Sequence, residues 1–348
     1  VAMCPLMLLP KMFLFDEAPL PPELRAQRTL NLARIPDIAR YIVENRNDYA
    51  FSAITASIDG EVRFEPANKE ADRAFDVGFL VVPMSARFVI NDGQHRRAAI
   101  EAALEEQPDL GGETIAVVFY VDAGLHRSQQ LYADLNRHAL RPTQSLGILY
   151  DYRDPLASLC RQLTEQVFYF KGLTETEKTT ISNRSIKLFT LSGIYQATAA
   201  LLGKRKSEKV SEEEQNLAFR FWTELGHIIP QWELAANRKI SSAELRRDYV
   251  HAHSVVLHAL GLVGCALVHE HPQDWQAYLI PLKDVDWRRS NSVMWEGRAM
   301  IGGQMSKVQQ NVLLTTSLLK AILGLNLTSE EAKLERNHTL GRNIHNPH

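Results

Sequence analysis

The pattern of apolar residues changes character near residue 150, and that change confines the chain to a two-part design. Before Tyr150, short β-branched and aromatic runs alternate with helical stretches. Residues 51–58, 79–83, 88–90 and 114–121 read as strands, the last of them fully buried. Residues 23–45, the stretch from Gly93 to Pro108 and the stretch from His126 to Arg137 place apolar residues three and four apart, which predicts helices. Pro36 falls in the first turn of a second helix within 23–45. Residues 1–15 read as a strand or extended arm. Strands and helices interleaved in this way predict an α/β domain over residues 1–150.

After Tyr150 the apolar spacing is helical throughout. Amphipathic stretches near 153–170, 184–202, 211–229, 242–268, 272–280 and 305–324 predict a mainly α-helical domain over 151–336. Thr328 and Glu331 form a capping-box pattern for a short last helix, and 337–348 reads as a loose tail. No internal repeat is visible. With 45% hydrophobic residues, the 348-residue chain has ample apolar surface for both cores.

Charge and cysteine content bound the function. Lys and Arg number 39 against 41 Asp and Glu, so no global cationic field exists. Any nucleic-acid contact has to come from a local basic patch. Cys4, Cys160 and Cys265 lack a CxxC spacing, which excludes a disulfide scaffold and fits a reducing, cytoplasmic setting. The first ten residues are apolar but short, without a charged flank and with two prolines, so no signal peptide is expected. The chain opens on Val1 rather than methionine, and a preceding segment is expected. No apolar run approaches the roughly 18 residues of a membrane span.

The sharpest local feature is Arg87-Phe88-Val89-Ile90-Asn91-Asp92-Gly93-Gln94-His95-Arg96-Arg97. A strand ends at Asp92, Gly93 permits a tight turn, and a helix follows at once. Backbone N–H groups and a positive dipole end then lie beside His95 and Arg96, an arrangement that suits a phosphate. Asp92 suits a metal ion, a helix cap or an arginine partner. The plainer reading is a capped helix with solvated arginines. The loop from Asn136 to Pro142 reads as lining the same cleft.

Other chemistries find less support. Gly302-Gly303-Gln304-Met305-Ser306-Lys307 is not a Walker A loop, and GxGxxG, HExxH and GxSxG are absent. His251 and His258 are expected on one face of one helix, with no third ligand, so no metal site is assigned. Cys4 is a redox candidate because it lies near an end, while Cys160 and Cys265 read as core residues. Basic residues cluster at Asn183-Arg184-Ser185-Ile186-Lys187, expected to open a helix capped by Ser182, and at Lys204-Arg205-Lys206 in a nearby loop. Both are candidate DNA-phosphate contacts, with Arg246, Arg247, Arg288, Arg289 and Arg298 as further basic groups.

Asn91 to Arg96 resembles the signature of the DGQHR-domain proteins. Further blocks resemble one group among them, the DndB family of DNA sulfur modification proteins. They are Arg28-Thr29-Leu30-Asn31, Arg127 to Gln130 with Ala133 to Arg137, Ser182 to Ser192, Tyr249 to His253, and Trp295-Glu296-Gly297-Arg298 running on to Lys307. Together they span nearly the whole chain. The resemblance implies a place in bacterial DNA phosphorothioation, in which sulfur replaces a non-bridging phosphate oxygen. It implies a cytoplasmic, DNA-binding transcriptional repressor of the modification genes, a role that needs neither turnover nor cofactor. The DGQHR segment is also similar to the arginine motif of the ParB and sulfiredoxin fold, where a strand–turn–helix binds nucleotide phosphates. The N-terminal α/β domain is therefore expected to resemble that fold.

Two functional expectations follow. In the first, Arg184, Lys187, Lys204, Arg205 and Lys206 contact double-stranded promoter DNA, and the protein is a homodimer, as repressors on paired half-sites usually are. In the second, Asp92, Gly93, Gln94, His95 and Arg96 bind or hydrolyse a nucleotide, with Asp92 on Mg²⁺, His95 on water or a proton and Arg96 on phosphate. A scaffold for the other phosphorothioation proteins is a third reading. None involves a membrane.

Overall fold

The computed structural model describes residues 1–13, 30–67, 77–122, 125, 127–137 and 142–345. The chain divides into two compact units, Val1–Leu140 and Arg141–His348. The first runs β1 (Ala2–Pro5), α1 (Leu9–Met12), α2 (Ile35–Glu44), β2 (Ile54–Asp59), β3 (Arg63–Pro66), β4 (Gly78–Val81), β5 (Arg87–Asp92), α3 (Gln94–Glu106), β6 (Thr114–Val121) and α4 (Ser128–Arg137). The second runs α5 (Gln144–Tyr150), α6 (Pro155–Gln166), β7 (Thr174–Glu175), β8 (Phe189–Thr190), α7 (Leu191–Leu202), α8 (Glu212–Ile228), α9 (Pro230–Ala236), α10 (Ser242–Asp248) and α11 (Ser254–Glu270). It ends with α12 (Trp275–Tyr278), α13 (Ser292–Trp295), β9 (Met300–Ile301), β10 (Gln304–Met305), α14 (Gln309–Ile322) and α15 (Ser329–His345). Mixed α/β structure followed by helices matches the expectation from patterning.

The first unit is organised by a four-stranded mixed sheet in the order β1-β6-β2-β5. β2 runs parallel to β6 and antiparallel to β5, and β1 is antiparallel to β6. Strand β2 lies inside the sheet and is buried over most of its length. Its alternation sends Ile54 and Ala56 into a core with Ile42 of α2 and Ala99, Ile100 and Ala103 of α3. The opposite face carries Ser57, which bonds to the buried Asn91. Strand β6 is less enclosed than its sequence predicts: only Ile115 and Val117 are buried. Residues 79–83 do not join this sheet; β4 pairs with β3 in a separate two-stranded ribbon, where Phe79 is 68% exposed.

The chain start is not one extended arm. After β1 a 3-10 turn at Leu6–Leu8 and α1 fold Leu6 and Leu9 into the core. Of the helix expected over 23–45, residues 23–29 lie outside the described residues. Pro36 sits in the first turn of α2, as predicted.

The second unit centres on α11, which packs on α7 and α14. Gly261 allows the approach to α7, because a Cβ there would lie 2.1 Å from the Ala197 carbonyl oxygen. Phe189 packs edge-on against Phe170 and Trp232, and Phe170 meets Trp222 at a tilt. Helix α5 packs on α7, with Ser145 bonded to Ser192, so the boundary between units falls before α5 rather than after it.

Three helical expectations change. Residues 183–187 do not open a helix; α7 starts at Leu191, capped by Thr190 through the Gly193 N–H. The stretch 242–268 breaks at Tyr249, whose extended backbone bridges to Arg288, before a 3-10 turn at Val250–Ala252 and then α11. His251 and His258 therefore lie on different elements. At the end, Thr328 and Glu331 form the expected reciprocal cap, but α15 continues to His345 through the stretch read as loose.

Candidate functional site

The DGQHR segment forms a strand–glycine–helix corner. β5 ends at Asp92, Gly93 takes the left-handed conformation at φ +110°, and α3 begins at Gln94. A side chain at Gly93 would be strained by that φ and would crowd Ile54 at 3.0 Å. Among the described residues, no side chain caps the start of α3. Its first turn keeps the polarity that attracts anions.

The motif's own side chains turn to structure. The Arg96 guanidinium donates to the Ser52 carbonyl and hydroxyl, to the Ala53 carbonyl at 2.9 Å, and to Asp92 Oδ2 at 2.6 Å. It thereby pins the chain entering β2 to the corner. His95 Nε2 accepts the Asn31 backbone N–H at 2.9 Å, so its ring proton is carried on Nδ1. Burial, and then the charge of Arg34, hold the His95 pKa below its ordinary value. Gln94 donates to the Ile90 carbonyl at 3.2 Å.

Beneath the corner lies a buried polar chain that sequence reasoning did not single out. Asn91 donates to Ser57 Oγ at 2.8 Å and accepts from Ser128 Oγ at 2.7 Å. Asp122 accepts the Arg127 N–H at 3.0 Å. Together they tie the start of α4 to β5. The only sequence hint was that Asn91, Asn31 and Ser128 all fall in blocks shared with the resembled family. The loop from Asn136 to Pro142, expected to line this cleft, lies largely outside the described residues.

The structure separates the basic candidates of the helical unit. Arg184 is exposed, and Ile186 beside it is 69% exposed. Residues 182–187 form an irregular segment drawn together by Arg246, whose guanidinium donates to the carbonyls of Lys187, Ser182 at 2.9 Å and Ser185 at 3.2 Å. Lys187 donates to the Gly172 carbonyl at 3.0 Å. Lys204 pairs with Glu214 at 2.9 Å and Lys206 with Asp151 at 3.1 Å. Among the described residues, Arg184 and Arg205 form no ion pair.

Cys4 does not fit a redox role. It is 5% exposed, packs against Met12 at 3.7 Å, and burial raises its thiol pKa, which keeps it protonated. Cys160 is fully buried and its pKa is raised for the same reason. His251 is enclosed, accepting the Trp232 indole N–H at 3.0 Å. Among the described residues, no group of three His, Cys, Asp or Glu side chains is placed to hold a metal ion. No described helix is long and apolar enough to cross a membrane.

A comparison with family models matches residues 1–326 to DndB, described as DNA-sulfur modification-associated. No curated protein and no solved structure matches the chain. The buried corner, the gathered segment 182–187 and the helices around them thus all fall within the matched span, and the chain belongs to the DndB family of DNA-sulfur modification-associated proteins.

Proposed function

We propose that this protein is a DNA-binding transcriptional repressor of the DNA sulfur modification genes, working in the cytoplasm as a homodimer. Family membership supports the modification system as its setting. The observation that carries the DNA-binding reading is the segment 182–187, where Arg184 stands exposed without an ion pair among the described residues. A backbone gathered from beneath by Arg246 holds such a residue at low entropic cost, as a phosphate contact requires. Arg205 is the second contact. Lys187, Lys204 and Lys206 contribute more weakly, because each already has a partner.

The test is a binding assay with DNA from upstream of the modification genes against scrambled DNA of equal length. Strong preference for the upstream DNA is expected. Equal, weak and salt-sensitive binding to both would overturn the repressor reading.

A second reading places a nucleotide at the corner of the α/β unit, and the uncapped start of α3 favours it. The strand–glycine–helix and the mixed sheet support likeness to the ParB and sulfiredoxin fold. The side chains fit such a ligand less well. Arg96 is engaged by Asp92 and by carbonyls, and His95 Nε2 is occupied by a backbone N–H. The corner therefore offers an anion its backbone first and Asp92 as the one acidic group of the motif, and hydrolysis is not part of the proposal. Calorimetry with Mg²⁺-ATP on wild type and Asp92→Asn tests it: loss of affinity in the variant supports the reading, and equal affinity removes it.

A further inference from the structure

The helical unit contains a cavity of about 690 Å³. That volume lies within the range of about 300–1,000 Å³ usual for small-molecule sites. Two features of its wall point to an anion. The first is the set of helix starts it collects. Thr190, the N-cap of the twelve-residue α7, and His253, the N-cap of the seventeen-residue α11, both line it. Among the described residues, no side chain caps α11. Thr190 accepts the Gly193 N–H at 3.1 Å and retains its own hydroxyl proton for donation. Ser254, next in the wall, adds another hydroxyl.

The second feature is an excess of cationic charge. Arg246, Arg247 and Arg289 line the cavity, against Glu244 as the one acidic residue among the described lining. Arg247 is paired with Asp248 at 2.7 Å. Arg246 and Arg289 bond only to carbonyl oxygens: Arg246 to the segment 182–187, Arg289 to Arg247 at 3.2 Å and Gly303 at 2.7 Å. Neither has a carboxylate in ion-pair range among the described residues. Burial lowers the Arg246 pKa, as it does for a cation that lacks an anion. Apolar side chains, Ile181, Phe189 and Leu257 among them, share the rest of the wall with the polar Thr179, Thr180, Asn183 and Ser241.

We propose that this cavity binds a phosphorylated small molecule of nucleotide size, its phosphate on Arg246, Arg289 and the start of α11, its ring system on Ile181 and Leu257. Phosphate suits the guanidinium forks and the helix start. The apolar part of the wall, Ile181, Phe189 and Leu257, suits a planar ring, which a free inorganic ion lacks. The site lies wholly within the helical unit and is separate from the DGQHR corner. Its arginine is also the one that gathers residues 182–187, so occupancy alters the seating of Arg184. Where the repressor reading holds, DNA and ligand then change each other's affinity by the same factor.

Calorimetry on the whole chain without DNA tests the binding directly, with AMP, ATP, adenosine and inorganic phosphate as probes. AMP or ATP is expected to bind, with adenosine and phosphate each at least tenfold weaker. Ala243→Phe fills the cavity without changing charge, and it weakens the nucleotide at least tenfold. Arg289→Gln does the same, with tryptophan emission checking that each variant is folded. No heat with any probe, adenosine matching AMP, or sensitivity to Asp92→Asn but not to Ala243→Phe would overturn the site. Repeating the promoter DNA titration with saturating nucleotide tests the coupling separately. A shift in DNA affinity supports it, and an unmoved affinity with nucleotide bound overturns the coupling while leaving the cavity assignment standing.

Discussion

Arg96 in the α/β unit and Arg246 in the helical unit each gather carbonyl oxygens from a segment remote in sequence. Arg96 holds Ser52 and Ala53 at the entry to β2, and Arg246 holds Ser182, Ser185 and Lys187. They differ in electrical balance. Arg96 is also bonded to Asp92 at 2.6 Å, so its charge is met locally. Among the described residues Arg246 has only neutral oxygens as partners, and it lines the neighbouring cavity. The arginine of the DGQHR string therefore works as a latch whose charge Asp92 meets, whereas that of Arg246 is met by carbonyl oxygens.

That contrast can be broken from either side, because the five tryptophans, Trp222, Trp232, Trp275, Trp287 and Trp295, all lie in the helical unit. Their emission reports that unit alone. A large effect is expected from Arg96→Ala, which removes several charge-assisted bonds at a mostly buried guanidinium, costing about 3 kcal/mol. Hydrogen exchange should quicken in β2, β5 and the start of α3, with the tryptophan transition unmoved. A shifted tryptophan transition would show that the latch is not local. Arg246→Ala is expected to cost less, about 2 kcal/mol, because the carbonyls it leaves at Ser182 and Asn183 can turn to water. Here the tryptophan transition moves and exchange in the corner does not.

A graded effect comes with pH. Burial lowers His253 to about 4 and His251 to about 3, both below the ordinary value near 6.5. The unfolded chain thus takes up protons before the folded one. Stability is complete above about pH 6.5 and declines as pH falls toward 4 and then 3. Urea titrations followed by tryptophan emission should show this decline, and His253→Gln should flatten its upper part. A stability that rises on acidification would contradict the buried, neutral state of these rings.

How much of this was legible in the sequence follows from the range of each interaction. The β5–Gly93–α3 corner was legible because turn chemistry and helix period are local. The Thr328–Glu331 cap was legible for the same reason. The helix expected at 183–187 failed because its carbonyls go to Arg246, about sixty residues along the chain, and local propensity gives way to tertiary bonding. The alignment of His251 with His258 failed because the pairing of Tyr249 with Arg288 breaks the helix. Cys4 read as accessible from its place near an end, but strand pairing of β1 with β6 encloses it. Strand order and the cavity depend on contacts that a one-dimensional pattern does not encode.

The most direct test of the central claim is the salt dependence of promoter DNA binding, measured for wild type, Arg184→Ala with Arg205→Ala, and His95→Gln. Each phosphate contact contributes about 0.9 to the slope of log K against log salt, so the double variant should lose about 1.8. His95→Gln should keep the wild-type slope, because the ring is neutral and bonded to the Asn31 N–H. An unchanged slope in the double variant, or a fall in the His95 variant, would contradict the division of roles between the two units.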